Sequence, residues 1–343
     1  MPPQSQSDCK LSPRACELPT CGTTESNLLR CSAGKAVYYC RASRLSAADS
    51  SGTLTASYQA ADRERHTKGC NALKNTRMAY AKEDKTLRKY RDPIWELHEP
   101  LRDWDIMLEV FGGPGGHVDS VKEALYHLLE MLRLSRSDNT GLRDTVPGLY
   151  IRLNMDQAAY DFMKWYATTD KCYWNIDTTP YLDVKNADIL EDPLDIWIVW
   201  PGPSISLAHV AAVLLIKVRI LLGLQAAQNA TRAFKGTIPA EIIEIIRSHL
   251  VGRIVASSRP DILLGSPEKL ADLIQRVKKQ VRLLYESINR YNPHFSYLIQ
   301  DEPYPEAEGA LVALGHALKR DNLASWAETP GAFEIIRALG AEF

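Results

Sequence analysis

Long apolar runs are scarce in this chain. The most apolar window, Ala211–Leu224, is shorter than the roughly 20 residues a helix needs to span a bilayer, and it carries Lys217 and Arg219 at its centre. That argues against a membrane span and predicts a buried helix. The opening residues, Met-Pro-Pro-Gln-Ser-Gln-Ser-Asp, hold no apolar stretch of the kind a secretory signal needs. Net charge is scarce too: 41 Lys and Arg stand against 42 Asp and Glu, −1 overall, so no global field draws nucleic acid or an anionic membrane. Alternating strand patterns are missing, and the two β-like runs, Val37–Cys40 and Ile196–Val199, are short. Phe111–His117 is rich in glycine but lacks the Lys-Ser/Thr pair of a P-loop, and it is expected to be a flexible link between helices. A soluble, intracellular and mainly α-helical protein is expected.

What is present is unevenly placed. Of seven cysteines, six fall before residue 71. In a reducing compartment clustered thiols favour metal over disulfides; the lone Cys172 is read as structural. The 343 residues suggest one large domain or two unequal ones, and 45 % apolar composition allows a sizeable core. Residues 1–15 are polar and expected to be disordered. Residues 16–70 hold the cysteines, and within them 41–57, rich in Ser and Ala, reads as a flexible insertion. Residues 71–92 read as a basic helical linker. Over 62–91, ten Lys or Arg oppose four Asp or Glu, which is read first as a solvated helix face.

Residues 93–343 read as a helical interaction domain. Val121, Ala124, Leu125, Leu128, Leu129 and Leu132 share one face of a helix over Asp119–Leu134, with Asp119 as its N-cap. A second helix follows Ser137-Asp138-Asn139, with Pro147 near its start, and a third spans about 156–167. Residues 181–193 read as a loop. Further helices are expected at about 206–227, 239–256, 267–288, 308–319 and 330–339, and Ser266-Pro267 is a helix-start signal. Short helices joined by short polar turns suggest helical hairpins. His117, His127, His209 and His294 have no partner at metal or acid–base spacing and are read as structural or surface residues.

Zinc prefers four tetrahedral thiolate or imidazole ligands, often in close pairs. The candidates are Cys16-x4-Cys21, Cys31, Cys40 and His66-x3-Cys70. The text around them, RCSAGKAVYYC and SYQAADRERHTKGC, resembles the MYND-type zinc finger over residues 16–70. The resemblance implies two interleaved zinc ions, one held by Cys16, Cys21, Cys40 and the position of Tyr58, the other by Cys31, the position of Gly34, His66 and Cys70. Gly34 and Tyr58 supply no usual ligand, so each site lacks one family donor and the finger is degenerate. Gln59 matches a groove position that in the family binds short proline-containing peptides, whereas Arg63 stands where many members have Trp. The segments LRLSRSDNTGLRDTVPGLYIRL and WAETPGAFEIIRAL are similar to the helical, tetratricopeptide-like region of a group of fungal MYND proteins.

The expected fold is a small degenerate finger followed by an all-helical domain. The expected function is a non-enzymatic adaptor that binds zinc and recruits a protein or peptide. Two rivals stand beside it. A lysine methyltransferase would need a glycine-rich cofactor loop and an Asn-His-Ser-Cys-type segment, and neither is found. A DNA-contacting protein would use the basic stretch 62–91 and lose affinity steeply with salt.

Overall fold

The computed structural model describes residues 11–12, 28–30, 37–39, 67–78, 105, 107–136, 138, 141–169, 179–199, 206–233, 266–292, 295 and 320–340. The protein is mainly helical. It gathers into two compact units, Lys10–Leu128 and Leu129–Phe343, the latter with Met1–Cys9. The division falls inside a helix, whereas the sequence reading drew its boundary at 92/93.

In the first unit, β1 (Leu29–Arg30) pairs antiparallel with β2 (Tyr38–Tyr39), Leu29 opposite Tyr39 and Arg30 opposite Tyr38. Within the β-like run read at 37–40, Tyr38–Tyr39 is thus half of a short ladder. Helix α1 covers 67–78 and buries Gly69, Cys70, Leu73 and Thr76, spaced as one helical face requires. A π-helical turn, Met107–Phe111, leads to α2, Val118–Leu134. Most of the stripe read from the sequence is buried: Val121, Ala124, Leu128 and Leu132 have no exposed surface and Leu125 is buried, whereas Leu129 is half-buried. Asp119 lies inside the first turn rather than capping it, and its carboxylate accepts the Tyr38 hydroxyl at 2.6 Å.

The segment Gly112–His117 is an ordered turn, not a loose link. Gly116 N–H donates to Gly113 O, His117 N–H to Phe111 O, and Ser12 pairs with it through Ser12 N–H to Gly116 O and Val118 N–H to Ser12 O. A Cβ at Gly116 would lie 2.5 Å from Phe111 O, which explains glycine there. Ser12 falls within 1–15, where the sequence suggested disorder.

In the second unit, a 3-10 turn (Leu142–Asp144) precedes α3 (Val146–Arg152), whose Pro147 occupies the first helical turn, where its missing N–H costs nothing. The buried Asp138 accepts the N–H groups of Leu142 and Arg143. Helix α4 (Asp156–Thr168) folds back on α3 across a short turn at Asn154, φ 56°. After a loop, a single turn α5 (Asp195–Ile198) replaces the second β-like run. Helix α6, Leu207–Ala233, extends beyond the apolar window at both ends. It is apolar on every side, and α3, α4, α7 (Pro267–Tyr291), α8 (Arg320–Ala327) and α9 (Ala332–Gly340) pack around it. By length and composition α6 could cross a membrane, yet 89 % of its most apolar stretch is buried inside the unit, so a core helix is the better account. Ser266 caps α7 by accepting the Lys269 N–H, with Pro267 at the first position, as its sequence signals. The helices expected at 239–256 and 308–319 lie outside the described residues.

Candidate functional site

Of the six candidate ligands, Cys70 alone is among the described residues. Cys16, Cys21, Cys31, Cys40 and His66 lie outside them, as do Gln59, Gly34 and Tyr58. Among the described residues no group of three or more His, Cys, Asp or Glu converges as a metal site would require. Cys70 is 1 % exposed, on the packed face of α1.

Neighbouring contacts hold that face in place. Gly69 lets α1 approach the π-helical turn: a Cβ there would sit 2.3 Å from Val110 Cγ1 and 3.1 Å from Phe111 Cζ. Glycine inside a helix is costly without such a reason. Arg77 donates to Glu123 at 2.6 Å and reaches the sulfur of Met107. On the ladder, the Arg30 guanidinium lies 5.4 Å from the centre of the Tyr38 ring, and Val37 and Tyr38 are buried. Gly69→Val is expected to cost about 1–3 kcal/mol by overpacking, and adding Val110→Ala should recover part of it. Equal urea midpoints for Gly69→Val and the unmodified chain would show that α1 does not approach the turn so closely.

The second unit carries a dense set of buried charges that sequence reasoning missed as a group. Lys217 has no exposed surface and donates to Ile189 O at 2.8 Å and Glu191 O at 2.7 Å. Arg219 donates to Asp156 at 3.1 Å, Asn154 at 2.7 Å and Thr329 at 3.0 Å. Arg152 and Glu328 form a bidentate pair at 3.0 and 2.8 Å. Glu191 accepts from the Tyr160 hydroxyl and from Lys164. Burial drives two of these groups, Asp156 and Lys217, toward their neutral forms. It pushes the Asp156 carboxyl up, with Arg219 pulling it back, and it lowers Lys217 to about 8 against the pull of Glu191 and Asp188. Burial likewise lowers His209, whose Nε2 lies 3.0 Å from Arg143 O and whose ring packs edge-on against Phe162 and Tyr166. His209 is structural, as read; His117 packs edge-on to Phe111 and His127 against Tyr126.

Nearly every one of these charges meets a loop carbonyl, a helix end or an opposite charge across the unit, which is the work of bracing. The available signal was Lys217 and Arg219 inside an apolar run: a charge there needs buried partners. Which acids and loop carbonyls answer them depends on tertiary contacts up to 110 residues away, as for Thr329. Comparison with known protein families, curated proteins and solved structures returns no match.

Proposed function

We propose that the protein is a zinc-binding, non-enzymatic adaptor, in which a degenerate MYND-type finger at 16–70 precedes a helical-hairpin domain that engages a protein partner. The observation that carries this reading is the cysteine- and histidine-bearing text from Cys16 to Cys70, with its Cys31, His66 and Cys70 at family spacing. Two structural facts support it. The β1–β2 ladder pairs the residues that flank Cys31 and Cys40 in sequence, as a ligand-bearing hairpin requires. Cys70 lies on an inward-facing helix surface, where a structural ligand belongs. Cys16, Cys21 and Cys40 would hold one ion, and Cys31, His66 and Cys70 the other, each site completed by a donor other than a family cysteine. Zinc there supplies folding energy to the small unit.

The test is zinc counted per chain during competition with a chelator. Weak binding of fewer than two ions is expected, and Gly34→Cys, which restores a fourth donor beside Cys31, His66 and Cys70, should tighten it. No zinc in either protein would sink the reading. Two tightly held ions in the unmodified chain would refute the degeneracy.

A further inference from the structure

In the first unit, Ser12 straps the N-terminal part of the chain onto the turn that starts α2. It forms a parallel bridge with His117, although 103 positions separate it from Gly115 in sequence. Its N–H donates to Gly116 O at 2.6 Å, and its carbonyl accepts from Val118 N–H at 3.0 Å. Its hydroxyl donates to Gly115 O at 2.7 Å. The residue is exposed, and Pro13 follows it directly in sequence.

Four Ser-Pro or Thr-Pro pairs occur in the chain, at Ser12, Thr179, Ser266 and Thr329, all among the described residues. A kinase that requires proline directly after its target needs an accessible hydroxyl, and the four are not equivalent. Thr329 is 1 % exposed, with its hydroxyl held between Arg219 and Ser325 O. Thr179 is half-buried, and its carbonyl accepts from Arg136. Ser266 is exposed, but its oxygen accepts the Lys269 N–H at the start of α7. A phosphate there would still accept, and it suits a helix N-terminus. At Ser12 the exposed hydroxyl is a donor. Phosphorylation removes the donated proton and places a charge of about −1.5 to −2 beside the carbonyl oxygens of Gly115 and Gly116. The N-terminus of α2 is the one nearby attraction for that charge. It is already answered, since Val118 N–H donates to Ser12 O and the Asp119 carboxylate stands in the first turn.

We propose that Ser12 is a phosphorylation site for a proline-directed kinase, and that its modification releases the strap from the turn before α2. In the transfer, Ser12 Oγ attacks the γ-phosphorus of kinase-bound ATP. The new O–P bond forms as the bond from that phosphorus to the β–γ bridging oxygen breaks. ADP leaves, and the hydroxyl proton passes to a carboxylate base of the kinase. The kinase meets Ser12 in molecules whose strap is open. The phosphate then keeps it open, because the proton that bonded Gly115 O is gone. The site precedes the cysteine-bearing text, which begins at Cys16, and stands whether or not that text holds zinc.

The test incubates the full chain with a proline-directed serine kinase and ATP, and maps incorporated phosphate by mass spectrometry. Phosphate on Ser12, and none on the buried Thr329, is expected. Amide hydrogen exchange of the phosphorylated chain is then read by NMR. The Val118 amide donates across the strap and should exchange about tenfold faster, the effect of one lost hydrogen bond and a repulsion of similar size. The Gly116 and His117 amides donate within the turn, to Gly113 O and Phe111 O, and should keep their rates. Ser12→Ala loses the hydroxyl bond alone and should speed Val118 exchange by about threefold. Absence of phosphate from Ser12 overturns the proposal. So does unchanged exchange at Val118 in the phosphorylated chain, or slower exchange, which would mean that the phosphate docks on the start of α2. An equal rise at Gly116, His117 and Val118 would show that the turn itself melts, and overturns it as well.

Discussion

Glu328→Gln should destabilise the helical unit by about 3–5 kcal/mol, the cost of leaving one buried partner of an ion pair without its counter-charge. The Arg152 and Glu328 side chains are 0 % and 5 % exposed, and the two hydrogen bonds between them tie α3 to the chain just past α8. The amide keeps the shape of the carboxylate but not its charge, so the guanidinium stays desolvated and loses the Glu328 charge. That loss is a large share of a domain's whole stability of about 5–15 kcal/mol. Removing both charges tells a different story. Arg152→Met with Glu328→Met lifts two desolvation costs at once and should recover most of the loss, because buried pairs contribute little net stability against apolar replacements. Denaturant midpoints of the two single variants and the double variant measure this directly. A Glu328→Gln midpoint within about 1 kcal/mol of the unmodified chain would show that water reaches the pair.

Helices with a clean apolar stripe are readable from spacing alone. For α2 five of the six stripe residues from Val121 to Leu132 are buried and Leu129 is half-buried, and for α7 Ser266-Pro267 marks the start that the structure has. Helix α6 is readable for the opposite reason: it has no polar face, so it must lie at the centre. Short elements are not readable. Ile196–Val199 is β-branched and apolar, yet Asp195–Ile198 makes a helical turn, because Trp197 is buried against the Tyr160 ring and its carbonyl accepts the Ser287 hydroxyl. The order of Gly112–His117 also escapes local reading in part, since beside its local hydrogen bonds Gly115 O and Gly116 O accept from Ser12, about a hundred residues earlier.

The candidate sites divide along the same line. Metal-ligand spacing is local text, and His66-x3-Cys70 is visible in four residues' distance. A cleft beside α4 is not local: its floor comes from α3 and α4, its wall from residues 182–186, and Asp161 ties that wall down through two amides some 25 residues away. A loop punctuated by Asp and Asn reads as solvated and mobile from sequence. Gln157 and Asp161, one helical turn apart on α4, are what hold it still.

The buried lysine of α6 should make the protein more stable in mild alkali. Lys217 is lowered from 10.5 to about 8, chiefly by burial and further by Arg276, against the opposing pull of Glu191, Asp188 and Asp192. Below pH 8 the amine is charged in both folded and unfolded chains, and burial of that charge is a standing cost. Between pH 8 and 10.5 the folded amine is neutral while the unfolded one still binds a proton. Unfolding then takes up a proton, so stability rises with pH. The full window is worth roughly 3 kcal/mol at about 1.4 kcal/mol per pH unit. The contacts survive deprotonation, because a neutral amine keeps two hydrogens for its two acceptors, Ile189 O and Glu191 O. Near pH 10 the trend reverses. Burial raises Tyr150, Tyr160 and Tyr181, so they stay protonated in the folded chain while the unfolded tyrosines ionise, and unfolding releases protons. A stability maximum between about pH 8 and 10 follows from the two opposed slopes. Lys217→Met has no titrating amine there, and its carbonyl neighbours lose their donors at every pH alike. Subtracting its urea-unfolding free energies at pH 7.5, 8.5 and 9.5 from those of the unmodified chain isolates the lysine, since all other titrating groups are shared. A difference that grows in favour of the unmodified chain as pH rises is the expected result; a flat difference would mean that Lys217 is hydrated in the folded protein.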